Sequence, residues 1–171
     1  FSCPFNLKSQ YTVFNLYYKD RMGKQVIIDA NNQTFILRTN IGNSITYGLE
    51  SYLDFIIHNS PKFRWSVFTA SSFMKGKYLN GDVTNGIENV SVDGNLLPGV
   101  PQVISRNGFL FKTNKWSATL QYSYTSSFYS DPLNIEFAEN GTVGLVPSYG
   151  ILDFNTSLIV TDFLVLKGSL S

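Results

Sequence analysis

Two acidic groupings in this chain could do chemistry. Glu50 and Asp54 lie four positions apart, and Asp153 occupies a similar setting further along. Paired carboxylates are the minimum for general acid–base work, one kept protonated and its neighbour ionised. The second grouping, Asp82, Glu88 and Asp93, falls in the Gly- and Asn-rich stretch Asn80–Asn95. Carboxylates mixed with amide oxygens suit a hard cation such as calcium, or a polar ligand. Both groupings lack partners. His58 is the only histidine and is expected in the short turn His58-Asn59-Ser60-Pro61, so a triad or a histidine-bearing metal site has little to draw on. Cys3 is the only cysteine, which excludes an internal disulfide and a multi-cysteine metal site. No Gly-rich phosphate loop joins a strand to a helix. The expectation is therefore no catalytic residue, no metal site and no cofactor. Asp82, Glu88 and Asp93 remain candidate ligand contacts in a solvated loop.

The setting of the carboxylates says more than the carboxylates themselves. Between Trp116 and Phe128, the residues Trp116, Ala118, Leu120, Tyr122, Tyr124 and Phe128 alternate with Ser117, Thr119, Gln121, Ser123, Thr125 and Ser127. Side chains in a strand point to opposite faces in turn, so this segment is apolar on one face and polar on the other. Its length matches the roughly 9–11 residues with which a tilted strand crosses a bilayer. A second alternation sets Ile45, Tyr47, Leu49, Leu53 and Phe55 against Thr46, Gly48, Glu50, Tyr52 and Asp54. Two carboxylates on one face are costly in a packed core and acceptable in a hydrated lumen. A third sets Leu152, Phe154 and Leu158 against Asp153, Asn155 and Ser157. Glu50, Asp54, Gln121, Asp153 and Asn155 are thus expected to face a lumen. Tyr18, Trp65, Tyr78, Trp116 and Tyr129, near strand ends, are candidate membrane-interface aromatics.

The fold class expected is all-β, an antiparallel up-and-down meander of about seven long strands, with no convincing helix. Strands are expected at 7–20, 34–57, 63–78, 101–112, 116–128, 147–160 and from Phe163 onward. Long connections (21–33, 79–100, 129–146) alternate with short turns (58–62, 113–115, 161–162). Membrane barrels segregate long loops to one end and short turns to the other. Composition agrees. Charged residues are 15% and aromatic residues 15%, with ten Tyr and fourteen Phe, and a soluble domain carries roughly 25% charged residues. A net charge of +1 gives no bulk case for nucleic acid. No apolar run reaches the ~18 residues of a membrane helix. An odd number of strands cannot close a bacterial barrel, so residues 1–171 are expected to be one partial barrel domain.

Four segments carry a resemblance. Arg38-Thr39-Asn40-Ile41-Gly42 followed by Tyr47-Gly48-Leu49-Glu50 resembles the Asn-(Ile/Val)-Gly … Gly-(Leu/Val)-Glu stretch of TonB-dependent outer-membrane receptors. Leu97-Pro98-Gly99-Val100-Pro101-Gln102 resembles their Leu-Pro-x-x-Pro entry to a late strand, and Trp116–Tyr124 is similar to the strand after it. Val146–Asn155 resembles their Pro-x-Tyr-x-x-x-Asp-Leu segment near the C-terminus. Order and spacing agree, and the branch most similar in character is that of ferric dicitrate receptors. The resemblance implies a C-terminal piece of a barrel of about twenty-two strands in the bacterial outer membrane, without its plug, TonB box or closing strand. It also implies the partners: outer-membrane lipid, the TonB-ExbB-ExbD system through the missing N-terminal region, and a ferric siderophore or other chelate as cargo. The competing expectation is a soluble carbohydrate-binding or adhesin-type β-domain, whose two sheets would pack around a closed core.

Overall fold

The computed structural model describes residues 6–28, 31, 33–84, 88–138, 141 and 143–171. Cys3, Asp29 and Asn32 lie outside the described residues. Ten strands follow in order: β1 (Asn6–Ile28), β2 (Thr34–Asn59), β3 (Phe63–Thr84), β4 (Asn89–Ser91), β5 (Val103–Thr113), β6 (Trp116–Thr125), β7 (Phe128–Tyr129), β8 (Leu145–Val146), β9 (Tyr149–Thr161) and β10 (Leu164–Leu170). An eight-stranded sheet runs β1-β2-β3-β5-β6-β9-β10, with the short β4 also paired to β3, and β7 and β8 form a separate hairpin. All pairings are antiparallel. This is the expected meander, each long strand hydrogen-bonded to the next and β1 and β10 at the edges. A second sheet packed face to face on the first, as the soluble alternative required, does not occur among the described residues.

Short turns are built from local hydroxyl chemistry. Ser60 Oγ accepts the Phe63 N–H at 3.2 Å, and the Ser60 N–H donates to the Phe63 carbonyl at 3.0 Å. Thr113 Oγ1 accepts the N–H groups of Lys115 and Trp116 at 3.3 and 2.9 Å. Ser and Thr side chains that satisfy nearby backbone donors favour turns over a continued ladder.

At the other end the sheet departs from expectation. β2 begins at Thr34 as expected, but β1 and β3 do not stop near residues 20 and 78; they run on to Ile28 and Thr84. A line of register irregularities crosses the three strands instead: β1 and β2 slip between Tyr18 and Arg21, and β2 and β3 slip at Asn43/Ser44, where Leu79 is skipped. Asp20 has φ 51°, and its N–H donates to Asn43 Oδ1 at 3.0 Å. The Asn43 N–H donates in turn to Asn80 Oδ1 at 2.9 Å. Gly42 and Gly81 face each other across β2 and β3 so closely that a Cβ on either would run into the other strand's backbone. Bulges leave a residue unpaired and re-aim the strand, and Asn and Gly serve them as well as they serve turns.

The long loops are also structured. Segment 92–102 lies along the edge of β3, with the Leu97 N–H on the Gly76 carbonyl and the Tyr78 N–H on the Asn95 carbonyl, both at 2.9 Å. Ile41, Tyr78, Val83, Val92 and Leu97 form a buried cluster there, with Val100 and Leu133 against it. Leu97 sits over Gly76, where a Cβ would meet its side chain. Among the described residues the buried cluster therefore lies where β2 and β3 meet segment 92–102. The rest of the sheet leaves both faces open, with Val13, Phe73 and Leu152 exposed.

Candidate functional site

Register places the five expected lumen residues on one face. Glu50 stands opposite Thr12 and Ser72, Asp54 opposite Lys8 and Phe68, Gln121 opposite Asp153, and Thr119 opposite Asn155. Directly opposed residues project to the same side, and the links through β5 (Phe68–Gly108–Gln121) make these one continuous surface. They are not gathered into one catalytic group. Asp54 Oδ2 pairs with Arg64 Nη2 at 3.7 Å. Asp153 Oδ1 accepts Ser171 Oγ at 2.6 Å. Glu50 lies in an open hollow of about 420 Å³ with Gln10, Thr12, Tyr52, Ser72 and Arg106. A second hollow of about 380 Å³ is lined by Thr119, Asn155, Ser157, Lys167 and Ser169. The surface is hydrogen-bonding and of mixed charge, suited to a water-filled passage or to a polar protein surface.

The opposite face is apolar. Phe63, Trp65 and Val67 of β3 meet Phe111 and Phe109 of β5, which meet Ala118 and Leu120 of β6, and Leu120 meets Phe154 of β9. At the short-turn end the rings form a continuous belt. His58 stacks on Phe63 at 4.4 Å, Trp65 meets Phe109 and Phe111 edge-on at 5.9 and 6.0 Å, and Phe111 lies 5.0 Å from Trp116. Tilted and edge-to-face pairs of this kind each add about 0.5–1.5 kcal/mol beyond area burial. The Trp116 indole N–H donates to Thr156 Oγ1 at 2.8 Å, and Thr156 Oγ1 donates to the Ser117 carbonyl at 3.2 Å. Polar residues within this face satisfy one another: Ser71 Oγ donates to Ser105 Oγ at 3.3 Å, and Asn107 Nδ2 donates to the same oxygen at 2.8 Å. That pairing lowers the cost of an apolar surrounding.

Three of the five candidate interface aromatics stand elsewhere. Tyr129 belongs to β7, off the main sheet, because strand β6 ends at Thr125 and Ser126 hydrogen-bonds back to Val103. Tyr18 and Tyr78 both oppose Ser44 on the polar face. The Arg21 guanidinium lies 5.8 Å over the Tyr18 ring. On the long-loop side of Phe73, burial pushes the Tyr78 phenol above its usual pKa while Arg21 beside it pulls the other way. On β1, Phe14 and Leu16 share the polar face with Tyr18, opposite Gly48 and Thr46, and Val13 and Tyr17 take the apolar one opposite Leu49 and Ile45.

Asp82, Glu88 and Asp93 do not converge. Asp82 is exposed on β3 opposite Ser91, Glu88 is exposed ahead of β4, and Asp93 is exposed in the turn that follows. Among the described residues no three His, Cys, Asp or Glu side chains are grouped to hold a metal ion.

A long-stranded open meander with one polar and one apolar face is the geometry of a barrel wall. Comparison bears this out, as residues 5–164 match the family described as TonB dependent receptor-like, beta-barrel. The chain belongs to the TonB-dependent receptor β-barrel family. That family consists of receptors and transporters, not enzymes. Comparison with curated proteins gives no match. Among solved structures, the barrel segment is similar to the copper transporter OprC (TM-score 0.66, 14% identity, 95% of this chain covered). It is also similar to the ferric citrate transporter FecA in the unliganded form (0.65, 16%, 92%). The siderophore receptor PiuA from Acinetobacter baumannii is a third (0.63, 19%, 94%). The chain spans 22%, 22% and 21% of those chains, about a fifth of a receptor's length.

Proposed function

We propose that these residues are successive wall strands in the C-terminal part of an outer-membrane, TonB-dependent receptor that imports a ferric chelate. In this reading the apolar face meets lipid, with Trp65 and Trp116 at the short-turn interface. Glu50, Asp54, Gln121, Asp153 and Asn155 line the lumen. The single observation that carries the reading is the outward face of β3, apolar from Phe63 to Val67 and again at Phe73, with Thr69 and Ser71 hydrogen-bonded to each other between them. From Phe63 to Phe73 the outward residues are separated by ten steps of about 3.3 Å, which at a tilt of 35–45° reach about 25 Å. That is the height of the apolar band on an outer-membrane barrel. The edge strands β1 and β10 would pair with further strands to close the wall, since an open sheet edge has no hydrogen-bond partner in hydrocarbon.

Import would be energised through the TonB-ExbB-ExbD system by a region outside these residues. The cargo class is inferred from the relatives, two of which are named for ferric citrate and for a siderophore. Ferric dicitrate is the finer form of the inference. The test is uptake of radiolabelled iron by cells expressing the full-length gene product, with and without TonB. Uptake of ferric citrate or a ferric siderophore that is lost with TonB supports the reading. A product that fractionates as soluble protein overturns the wall, and a membrane-inserted product that takes up copper instead overturns the cargo alone.

A further inference from the structure

We propose that β3 and β5 carry on their lipid side, at mid-membrane depth, a hydrogen-bonding patch centred on Asn107 by which two copies of this protein associate. The inference rests on the apolar face meeting lipid, as proposed above.

The patch interrupts an otherwise apolar surface. Thr69 and Ser71 on β3 stand opposite Asn107 and Ser105 on β5, which in turn oppose Tyr122 and Tyr124 on β6. Val67 and Phe109 border the patch toward the short turns, Phe73 borders it beyond Ser71, and Leu152 borders it on β9. Asn107 is level with Thr69, which lies six residues from Phe63 and four from Phe73. At strand rise and barrel tilt those steps are about 15 Å and about 10 Å, which puts the amide near the middle of the hydrocarbon.

An amide at that depth needs partners. Asn107 is exposed. One N–H of its Nδ2 reaches Ser105 Oγ at 2.8 Å, while the other N–H and Oδ1 have no partner among the described residues. The neighbouring hydroxyls are already engaged, Ser71 Oγ with Ser105 Oγ and with Thr69 Oγ1, both at 3.3 Å. Lipid tails offer no hydrogen bond, so the unused half of the amide is costly until a second protein surface meets it. Polar side chains bonded across two membrane-embedded surfaces hold them together.

The chemistry of the patch selects a second copy as that surface. Thr69, Ser71, Ser105, Asn107, Tyr122 and Tyr124 carry no charge near neutral pH, so like charges do not meet when the patch faces itself. Each of these side chains both donates and accepts hydrogen bonds, and a two-fold interface must be complementary to itself. A two-fold axis along the membrane normal keeps both copies in one orientation and sets each residue at the depth of its counterpart. Asn107 then meets Asn107 of the second copy. Two primary amides face to face make two reciprocal N–H···O bonds, with the same atoms that lack partners within one wall.

The experiment uses the full-length gene product, purified from outer membranes and reconstituted in lipid vesicles over a range of protein densities. Stepwise photobleaching of a single fluorescent label counts the copies in each particle. Native protein is expected to pass from single copies to pairs as density rises. Asn107→Leu, which suits lipid and removes the amide, should raise the density needed for pairing about tenfold, because two hydrogen bonds between walls are lost. Asn107→Gln keeps the amide and should fall between the two. A second measurement replaces every native cysteine by Ser and oxidises intact outer membranes. Asn107→Cys should then cross-link to its own copy, and Val13→Cys, exposed on the same face but three strands away, should not.

Native protein that stays single at every density overturns the proposal, and so does unchanged pairing in Asn107→Leu. Cross-linking of Asn107→Cys to a different protein alone overturns the second copy as the occupant. Folding of each variant is checked by the shift in gel mobility on heating that marks a closed barrel, and the cross-link decides if Asn107→Leu lacks that shift. A native protein that shows no such shift and is not recovered from the membrane overturns the underlying wall reading instead.

Discussion

Asn134 gives Leu96 the two hydrogen bonds that a neighbouring strand would give. Its Oδ1 accepts the Leu96 N–H at 2.7 Å and its Nδ2 donates to the Leu96 carbonyl at 2.9 Å. Asn134 holds φ at 57°, a conformation that Asn tolerates better than most residues. Asp131 supports it from below, with its carboxylate oxygens accepting the N–H groups of Leu133 and Ile135 at 2.8 and 3.2 Å. Asn95 Nδ2 adds a bond to the Pro132 carbonyl at 2.9 Å. Two long connections, separate in sequence, are thereby held as one body over the end of the sheet.

Replacing Asn134 by Ala should release that body. Two partly buried backbone groups lose their partners, at about 1–3 kcal/mol each. Hydrogen exchange at the amides of 96–99 should accelerate by at least tenfold in the full-length protein, with the global melting temperature little changed. Asn134→Gly keeps access to the backbone angle and loses the bonds, so equal acceleration in both variants assigns the effect to the side chain.

The facing glycines at the bulge set a second limit. Gly42→Val places atoms in the backbone of β3 and demands a shift that typical overpacking prices at about 1–3 kcal/mol or more. The expected result is slower assembly and a lower unfolding midpoint in urea, with Gly42→Ala intermediate. A native-like midpoint for the Val variant would show that β2 and β3 can separate there.

Charge placed on the two faces should be unequal in effect. Leu120→Arg puts a cation on the apolar face, at about 2–4 kcal/mol near the middle of a bilayer. Thr119→Arg, one residue away on the polar face, should cost under ~0.5 kcal/mol. Folding equilibria of the full-length protein in lipid vesicles measure both, and similar costs would contradict the assignment of the faces.

The Asp54–Arg64 pair offers a milder test. The Arg64 side chain is 37% exposed, so water screens much of the attraction. A double-mutant cycle of Asp54→Asn and Arg64→Gln should return a coupling of no more than ~1 kcal/mol, read from the same equilibria.

The sequence by itself determined the order of the long strands, their short turns and the two faces of β2, β6 and β9. All three rest on local rules: side chains alternate along an extended chain, and Ser60 and Thr113 satisfy backbone groups within three residues. Glu50, Asp54, Gln121, Asp153 and Asn155 were legible as one polar surface for that reason, and Trp65 and Trp116 as members of one ring belt.

Tertiary structure decided the rest. Asn43, Asn80, Gly42 and Gly81 have the composition of loops, and whether such residues end a strand or bulge it depends on the partner strand's register, which local composition does not carry. Partner register, unbroken from Thr12 to Tyr18 and from Ser72 to Tyr78, sets Tyr18 and Tyr78 around Ser44 on the polar face. Likewise Leu97 over Gly76, and Asn134 on Leu96, join residues far apart in the chain. Such contacts exist only once the strands between them have paired, so they turn apparent loops into part of the buried cluster of the described residues.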